Sequence, residues 1–448
     1  MPESADAVIV GARCAGSAAA IALARAGRRV VALDRARFPS DTLSTHLLWA
    51  GGVAELKRLG ALERVEALGA PRLPDALAGW AGYEIRGTYT PVAGIDYGLC
   101  VRRPGLDAAL VETAREAGAD VRERSVVSSL TRRGQRVAGV RYRDPEGEER
   151  EILAPLVVGA DGRRSLVARE VGSEDPPLVN ANGRGCYFAY WRDAQPVWRA
   201  TAAQWRQGEE LVTAFPCDGG LLLVLLMPPV ARTADFKGDL EGEYERTVAA
   251  VPELAARLEG CERQTKVRHT NSTASYFRRS SGPGWALAGD AGHFKDPITA
   301  QGIRDGMRFG RMLGESAAPI LADPHDLDRA LAAWERRRNH ECLESYQWTN
   351  RVARAESMNP IEAELYREAA GDPELGRAFM DVFSRTVRPG ELFTGRRLAR
   401  LLGRALRRKG AARGEALRVA GRELRGGLRD RAQRLRMGRR SWAAHAWD

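Results

Sequence analysis

Several short segments carry residue types and spacings suited to gripping a phosphorylated, sugar-bearing ligand. The first is Gly11-Ala12-Arg13-Cys14-Ala15-Gly16, which follows the β-branched run at 7–10 and precedes an alanine-rich stretch. A dinucleotide diphosphate needs a tight turn, close backbone approach and the positive end of a helix dipole. A strand, glycine loop and helix in succession supply all three. Gly11 and Gly16 suit the first and last glycine roles. Arg13 stands at the middle one, where it would bring a cation near the phosphates, and Cys14 and Ala15 complete the loop. Asp34 lies 23 residues beyond Gly11, the distance expected of a carboxylate that hydrogen-bonds ribose hydroxyls. A βαβ turn with no ligand would use the same residues.

Two further segments repeat the device of an apolar strand ending in a small residue and an aspartate. Val157-Val158-Gly159-Ala160-Asp161-Gly162 leads into a helix start. It places a carboxylate and flexible backbone at the carboxyl edge of a sheet, where α/β folds bind ligands; a plain Asp-Gly turn is the alternative. Trp285 to Asp290 does the same, with Asp290 positioned for a sugar-alcohol hydroxyl unless it is a buried, neutralised carboxyl. The helix expected to start near Gln301, Gly302 and Ile303 would stabilise negative charge on a ligand's edge.

The acid–base candidates are His46, His293 and Lys295. A histidine with a pKa near its ordinary value of about 6.5 can take or give a proton near neutral pH. Structural hydrogen bonding is the plainer role. Lys295 stands out because the chain has 5 lysines against 64 arginines, so a lysine in this loop is an uncommon choice. A salt bridge to Asp296 or Asp290 is its plainer role.

These residues require a frame. Residues 7–34 read as strand, glycine turn, helix and strand, with Gly27 closing the helix. A helix from about 106 to 117 and strands around Val121, Val137 and 156–158 continue the α/β alternation. Between about 175 and 279 the texture becomes strand-rich, with runs at 186–191, 210–216 and 221–227 and a turn at 217–220. From Gln301 the pattern is helical, interrupted at Pro360, Pro373 and Pro389. The fold class expected is α/β: a Rossmann-like nucleotide domain (1–75, 100–174 and 280–338) interleaved with an antiparallel-sheet substrate domain (76–99 and 175–279). A helical region, 339–448, would follow.

Composition narrows the options. A chain of 448 residues with 44% apolar content is globular in character. Its longest apolar run, 221–230, is about half the ~20 residues that span a bilayer, and no leader is expected before the first strand. Six scattered cysteines show no metal-like or redox spacing, so we expect reduced thiols, no metal site and a cytoplasmic location. The formal charge of +11 is confined to one place. Residues 395–448 hold 17 basic and 4 acidic groups, whereas the rest holds 52 and 54. The basic tail, with helically spaced Leu417, Leu424, Leu428 and Leu435, suggests docking to a membrane surface, an acidic carrier protein or a partner subunit. A solvated helical extension is the simpler alternative. Nucleic acid is not expected, since the tail has few aromatics.

Together the three segments resemble the glycine-rich, DG and GD fingerprints of the para-hydroxybenzoate-hydroxylase-like (group A) flavoprotein monooxygenases, over about residues 1–320. The resemblance implies FAD. It assigns Asp34 to the ribose, Arg103 (in Arg103-Pro104-Gly105-Leu106) to the cofactor, Asp161 and Gly162 to the DG pair and Asp290 to the ribityl chain. Pro297 and Gly302 would flank the isoalloxazine, and Arg35, Ser44, Thr45 and Val126 would add contacts. Ala300 departs from the family's usual glycine and Arg304 from its usual asparagine. The segments 40–46 and 293–297 resemble a bacterial subgroup overlapping geranylgeranyl-reductase-like and flavin-halogenase-like proteins. With one nucleotide-binding βαβ unit, NAD(P)H would be a transient co-substrate. The implied reaction is a monooxygenation with O2, such as hydroxylation, of an aromatic or polyketide-like molecule in secondary metabolism or antibiotic biosynthesis. The alternatives are a halogenase, a double-bond reductase and a flavin-binding regulatory protein. For the halogenase, the Trp-x-Trp-x-Ile-Pro motif is absent and Lys57 sits in a helix-like run.

Overall fold

The computed structural model describes residues 2–408 and 412–439. Its central element is a six-stranded sheet in the order 281–282, 285–287, 156–159, 7–10, 30–33 and 120–122. The last five strands run parallel and the edge strand Ser281–Gly282 is antiparallel. The strand Ala7–Val10 is buried on both faces, which is why it reads as an unbroken apolar run and not an alternating one.

Helix Cys14–Arg25 returns over this sheet and packs along helix Gly302–Ala317. Their close approach depends on glycine. A Cβ on Gly310 would lie 2.3 Å from the Ala15 carbonyl oxygen, and one on Gly314 would lie 2.7 Å from the Ala22 Cβ. A three-stranded antiparallel layer, 126–133, 136–143 and 149–153, covers one side and pairs in parallel with Glu3–Ser4.

A second, eight-stranded sheet runs 262–263, 186–192, 221–226, 210–216, 201–207, 75–80 and 83–88, with 268–270 paired to the 186–188 edge. It is antiparallel throughout except where Thr201–Gln207 lies parallel to Asp75–Trp80. One face turns Phe188, Tyr190, Phe215, Leu223 and Leu225 into the main core. The other turns Tyr187, Trp191, Trp205 and Val212 toward the helices Leu240–Ala249 and Pro252–Arg257. Alternation along the strands divides the aromatics between the two faces.

From Pro324 on the described chain is helical: Pro324–Val352, Pro360–Ala369, Pro373–Ser384, Pro389–Leu392, Gly395–Arg407 and Ala412–Arg439. The prolines read as interruptions each occupy the first position of a new helix, where the missing N–H would have had no partner. One helix spans the position 338/339. Helix Pro324–Val352 runs straight through it, because its apolar stripe, including Leu331, Trp334, Cys342 and Tyr346, packs into one core along its whole length. All six cysteines are free thiols, with the Cys100 and Cys217 Sγ atoms 3.1 Å apart. Among the described residues no helix is long and apolar enough to cross a membrane.

Candidate cofactor site

The carboxyl ends of four adjacent parallel strands deliver the residues singled out by spacing. Gly11 follows Ala7–Val10, Asp34 follows Val30–Leu33, Asp161 follows Leu156–Gly159 and Asp290 follows Trp285–Leu287. This crevice is where doubly wound α/β sheets bind nucleotides.

Gly11 has φ +97°, and a Cβ there would lie 2.5 Å from the Ala160 carbonyl oxygen. At Gly16 a Cβ would meet the Gly11 carbonyl oxygen at 1.8 Å, so the turn admits only glycine at both positions. No side chain caps helix Cys14–Arg25, so the amides of its first turn remain free of any side-chain acceptor. Asp34 spans the two flanking turns, its oxygens accepting from the Ala12 and Ala36 amides at 2.8 Å each. The exposed Arg35 lies next to it. Val126 is exposed at the head of its strand, and its neighbour Ser125 donates its backbone N–H to the Asp34 carbonyl at 2.8 Å.

Arg13 does not project as a free cation. Its guanidinium is bonded to the Asp107 carboxylate and to Ser40 Oγ at 3.0 Å, and lies over the Phe38 ring. Asp107 is fully buried and also receives Arg103, through Nε at 3.1 Å and Nη2 at 2.8 and 3.0 Å. The Cys14 thiol donates to it at 3.3 Å, and burial pushes that thiol up to about 12. Asp107 is therefore the anchor for both arginines, and its signal lay in the Arg103-x-x-x-Asp107 helical spacing.

The two remaining aspartates differ. Asp161 accepts from Ser165 Oγ and from the Leu166 amide at 2.7 Å, so its carboxylate caps the short helix Leu166–Glu170, while Gly162 takes φ +79°. Among the described residues Asp290 engages only through its backbone carbonyl, which accepts from Tyr276 Oη at 2.6 Å. Burial raises its carboxyl above the usual range, opposed by Arg163 and Arg103 nearby. An acceptor with no side-chain partner, facing two cations, suits a hydroxylated chain carrying a diphosphate.

The loop 293–303 closes the far side. Pro297 opens a single 3₁₀ turn whose start is capped by Asp296, and Ala300 sits at φ +50°, which explains why glycine is usual there. Helix Gly302–Ala317 begins one residue after Gln301, with Gly302 exposed, Ile303 buried and no side-chain cap. Gln301 is held within the protein. Its Oε1 accepts from Lys295 Nζ at 2.8 Å and Ser345 Oγ at 2.6 Å, and its Nε2 donates to the Val382 and Phe383 carbonyls.

The acid–base candidates fall in two places. His293 and Lys295 line a small cleft with Asp290, Gly302, Asp305, Phe309 and Arg338. Lys295 pairs with Asp305 at 2.6 Å and not with Asp296 or Asp290, because Asp305, on the first turn of the helix, faces its buried ammonium. Burial lowers the Lys295 ammonium to about 8. His293 stacks on Phe277 with centroids 3.9 Å apart and shares Nδ1 with the Tyr276 carbonyl. Burial and the cations Arg338 and Lys295 hold it well below its ordinary pKa. His293, Asp305 and Cys342 cluster closely enough to consider a metal, but Lys295, Arg304 and Arg385 already neutralise Asp305 and repel a dication.

His46 lies at the other place, under the eight-stranded sheet. It follows Ser44, whose Oγ accepts the His46 amide at 3.1 Å, and Thr45, whose carbonyl accepts from Leu47. His46 has φ +57°, is fully buried, stacks on Tyr190 and meets Phe188 edge-on. Its Nε2 lies 2.6 Å from Tyr190 Oη, while its Nδ1 has no partner among the described residues. Burial, then Arg103, lowers the imidazole to about 3. Both imidazoles are therefore uncharged near neutral pH. The shift comes from desolvation, which sequence spacing does not reveal.

Comparison with known proteins agrees with this architecture. The chain belongs to the family described as FAD binding domain, which it matches over residues 4–359. It is 27% identical to a tryptophan 2-halogenase of Chondromyces crocatus over 75% of this chain and 65% of that protein. It is 25% identical to squalene monooxygenase SE2 of Panax ginseng, over 84% of this chain and 68% of the relative. The chain thus spans about two thirds of the length of either. The structure of the flavin-dependent brominase Bmp2 superposes with a TM-score of 0.74 at 19% identity, covering 90% of this chain and 98% of that one. The family match and these resemblances place the chain among the group A-like FAD-binding flavoproteins.

Proposed function

We propose that the chain is a monooxygenase that uses NAD(P)H and O2 to oxygenate a flat, apolar molecule of aromatic or polyketide-like character. The observation that supports this reading is the aromatic cluster of Phe188, Tyr190 and His46, buried where the eight-stranded sheet packs into the main core. Aromatic faces of this kind stack planar rings and offer few polar contacts.

The residues present fit FAD. The uncapped amides after Gly11 and the Arg103–Asp107 anchor would hold the diphosphate, Asp34 the ribose and Asp290 the ribityl hydroxyls. The start of helix Gly302–Ala317 would face the ring's charged edge. When bound, FAD supplies the two-electron and O2 chemistry. The protein's part is position, dryness and hydrogen bonding. Were Tyr190 Oη to donate to Nε2, His46 would carry its proton on Nδ1, which has no partner among the described residues and would be left to donate to a substrate oxygen. Burial raises the Tyr190 hydroxyl as well, so the pair carries no charge near neutral pH.

Halogenation is the second reading, favoured by the relatives named above. Against it, Lys57 is exposed and donates to the Ala93 carbonyl on the surface. The deciding experiment screens FAD-loaded protein against phenols, quinones and polycyclic aromatics. The proposal expects NAD(P)H oxidation with O2 uptake and a substrate mass gain of one oxygen. Halide-dependent mass gain, or anaerobic alkene reduction, would replace it.

A further inference from the structure

A single line of exposed leucines runs along helix Ala412–Arg439. Leu417, Leu424, Leu428 and Leu435 are spaced 7, 4 and 7 residues apart, which at 3.6 residues per turn places all four on one narrow stripe, about 27 Å long. Their exposures are 58%, 68%, 61% and 55%. The opposite face docks on the body. Ala416 and Val419 are buried, Asp430 pairs with Arg351 at 3.0 Å, and Glu423 faces Arg351 and Arg354. Gln347 bonds the Asp430 carbonyl and Gln433.

This docking sorts the helix's charges. Two of its acidic groups, Glu423 and Asp430, turn inward, while Arg413, Arg418, Arg425, Arg429 and Arg431 remain exposed around the leucines. The outward surface is thus apolar along its crest and cationic on its flanks.

We propose that this helix lies in the surface of a membrane containing anionic lipids, with the leucines at the boundary between headgroups and acyl chains and the arginines on lipid phosphates. An amphipathic helix of low mean hydropathy with arginine beside its apolar line is built for that boundary. A second copy of the chain fits poorly, because two such faces would oppose arginine to arginine. A helical protein partner fits poorly too. Its seam would need apolar residues in two adjacent rows, and Gly421 and Arg431 interrupt them. The surface is consistent with a helix that lies on a membrane and does not cross it.

The test is co-sedimentation of the full-length, FAD-loaded protein with vesicles of phosphatidylcholine alone or mixed equally with phosphatidylglycerol. Binding to the mixed vesicles, weakening as salt rises, is the expected result. Replacing all four leucines by serine should weaken it by roughly tenfold or more, with far-UV circular dichroism and flavin content unchanged. Replacing Arg418, Arg425 and Arg429 by glutamine should remove the preference for phosphatidylglycerol. Three results would overturn the proposal: wild-type protein left in the supernatant with anionic vesicles, vesicle binding undiminished in the leucine variant, or a dimer in solution that the leucine substitutions dissolve.

Discussion

Asp107 carries no chemistry in the proposed reaction, yet removing it should be among the most damaging single changes near the crevice. The carboxylate is fully buried and accepts from Arg13, Arg103 and Cys14 together. Asp107→Ala leaves the Arg103 guanidinium, whose side chain is 11% exposed, as a buried cation without its counter-charge. Breaking a buried ion pair from one side costs about 3–5 kcal/mol. Arg13 is 27% exposed, so water can replace its lost contact and Arg13→Ala should cost about 1 kcal/mol. Because both arginines share one carboxylate, the two substitutions should not add. Once Asp107 is gone, deleting Arg13 removes a repulsion, and the double variant should be less destabilised than the sum by about 0.5–3 kcal/mol. Equilibrium urea unfolding followed by tryptophan fluorescence measures the energies, and flavin released on gel filtration reports whether Arg103 still points into the crevice. An Asp107→Ala loss below about 1 kcal/mol, or strict additivity with Arg13→Ala, would refute the shared anchor.

Other outcomes follow from packing, backbone and charge. Gly310→Ala places a Cβ 2.3 Å from the Ala15 carbonyl oxygen and should cost about 1–3 kcal/mol in unfolding free energy, whereas Gly306→Ala, with 3.6 Å of clearance, should be near neutral. Ala300→Gly relieves a left-handed residue at φ +50° and should stabilise the fold by about 1 kcal/mol in the same measurement. Lys295 has a folded pKa lowered to about 8, so between that value and its ordinary 10.5 the unfolded chain binds more protons. Unfolding free energy should therefore rise with pH across that window, by at most about 1.4 kcal/mol per unit. Lys295→Met should abolish that rise in urea titrations run at stepped pH.

Local signals carried much of this protein. Gly11 and Gly16, the strand Ala7–Val10 and the aspartates at strand ends are legible in order along the chain. A tight turn and a dipole-facing loop are built from neighbours within one βαβ unit, and the C-terminal prolines mark helix starts for the same nearest-neighbour reason. The family resemblance extended this reading to Arg103 and identified the expected ligand as FAD.

Partnership across long separations was decided only by the tertiary structure. Arg13 meets Asp107 across 94 positions and His46 meets Tyr190 across 144. Lys295 reaches Asp305 because a helix turns the carboxylate back toward it, and strand Asp75–Trp80 joins Thr201–Gln207 in a parallel register that no local pattern encodes. Desolvation belongs to the same category. The amino acids at positions 46, 293 and 295 are titratable wherever they stand, but the packing that excludes water around them sets which protons they hold.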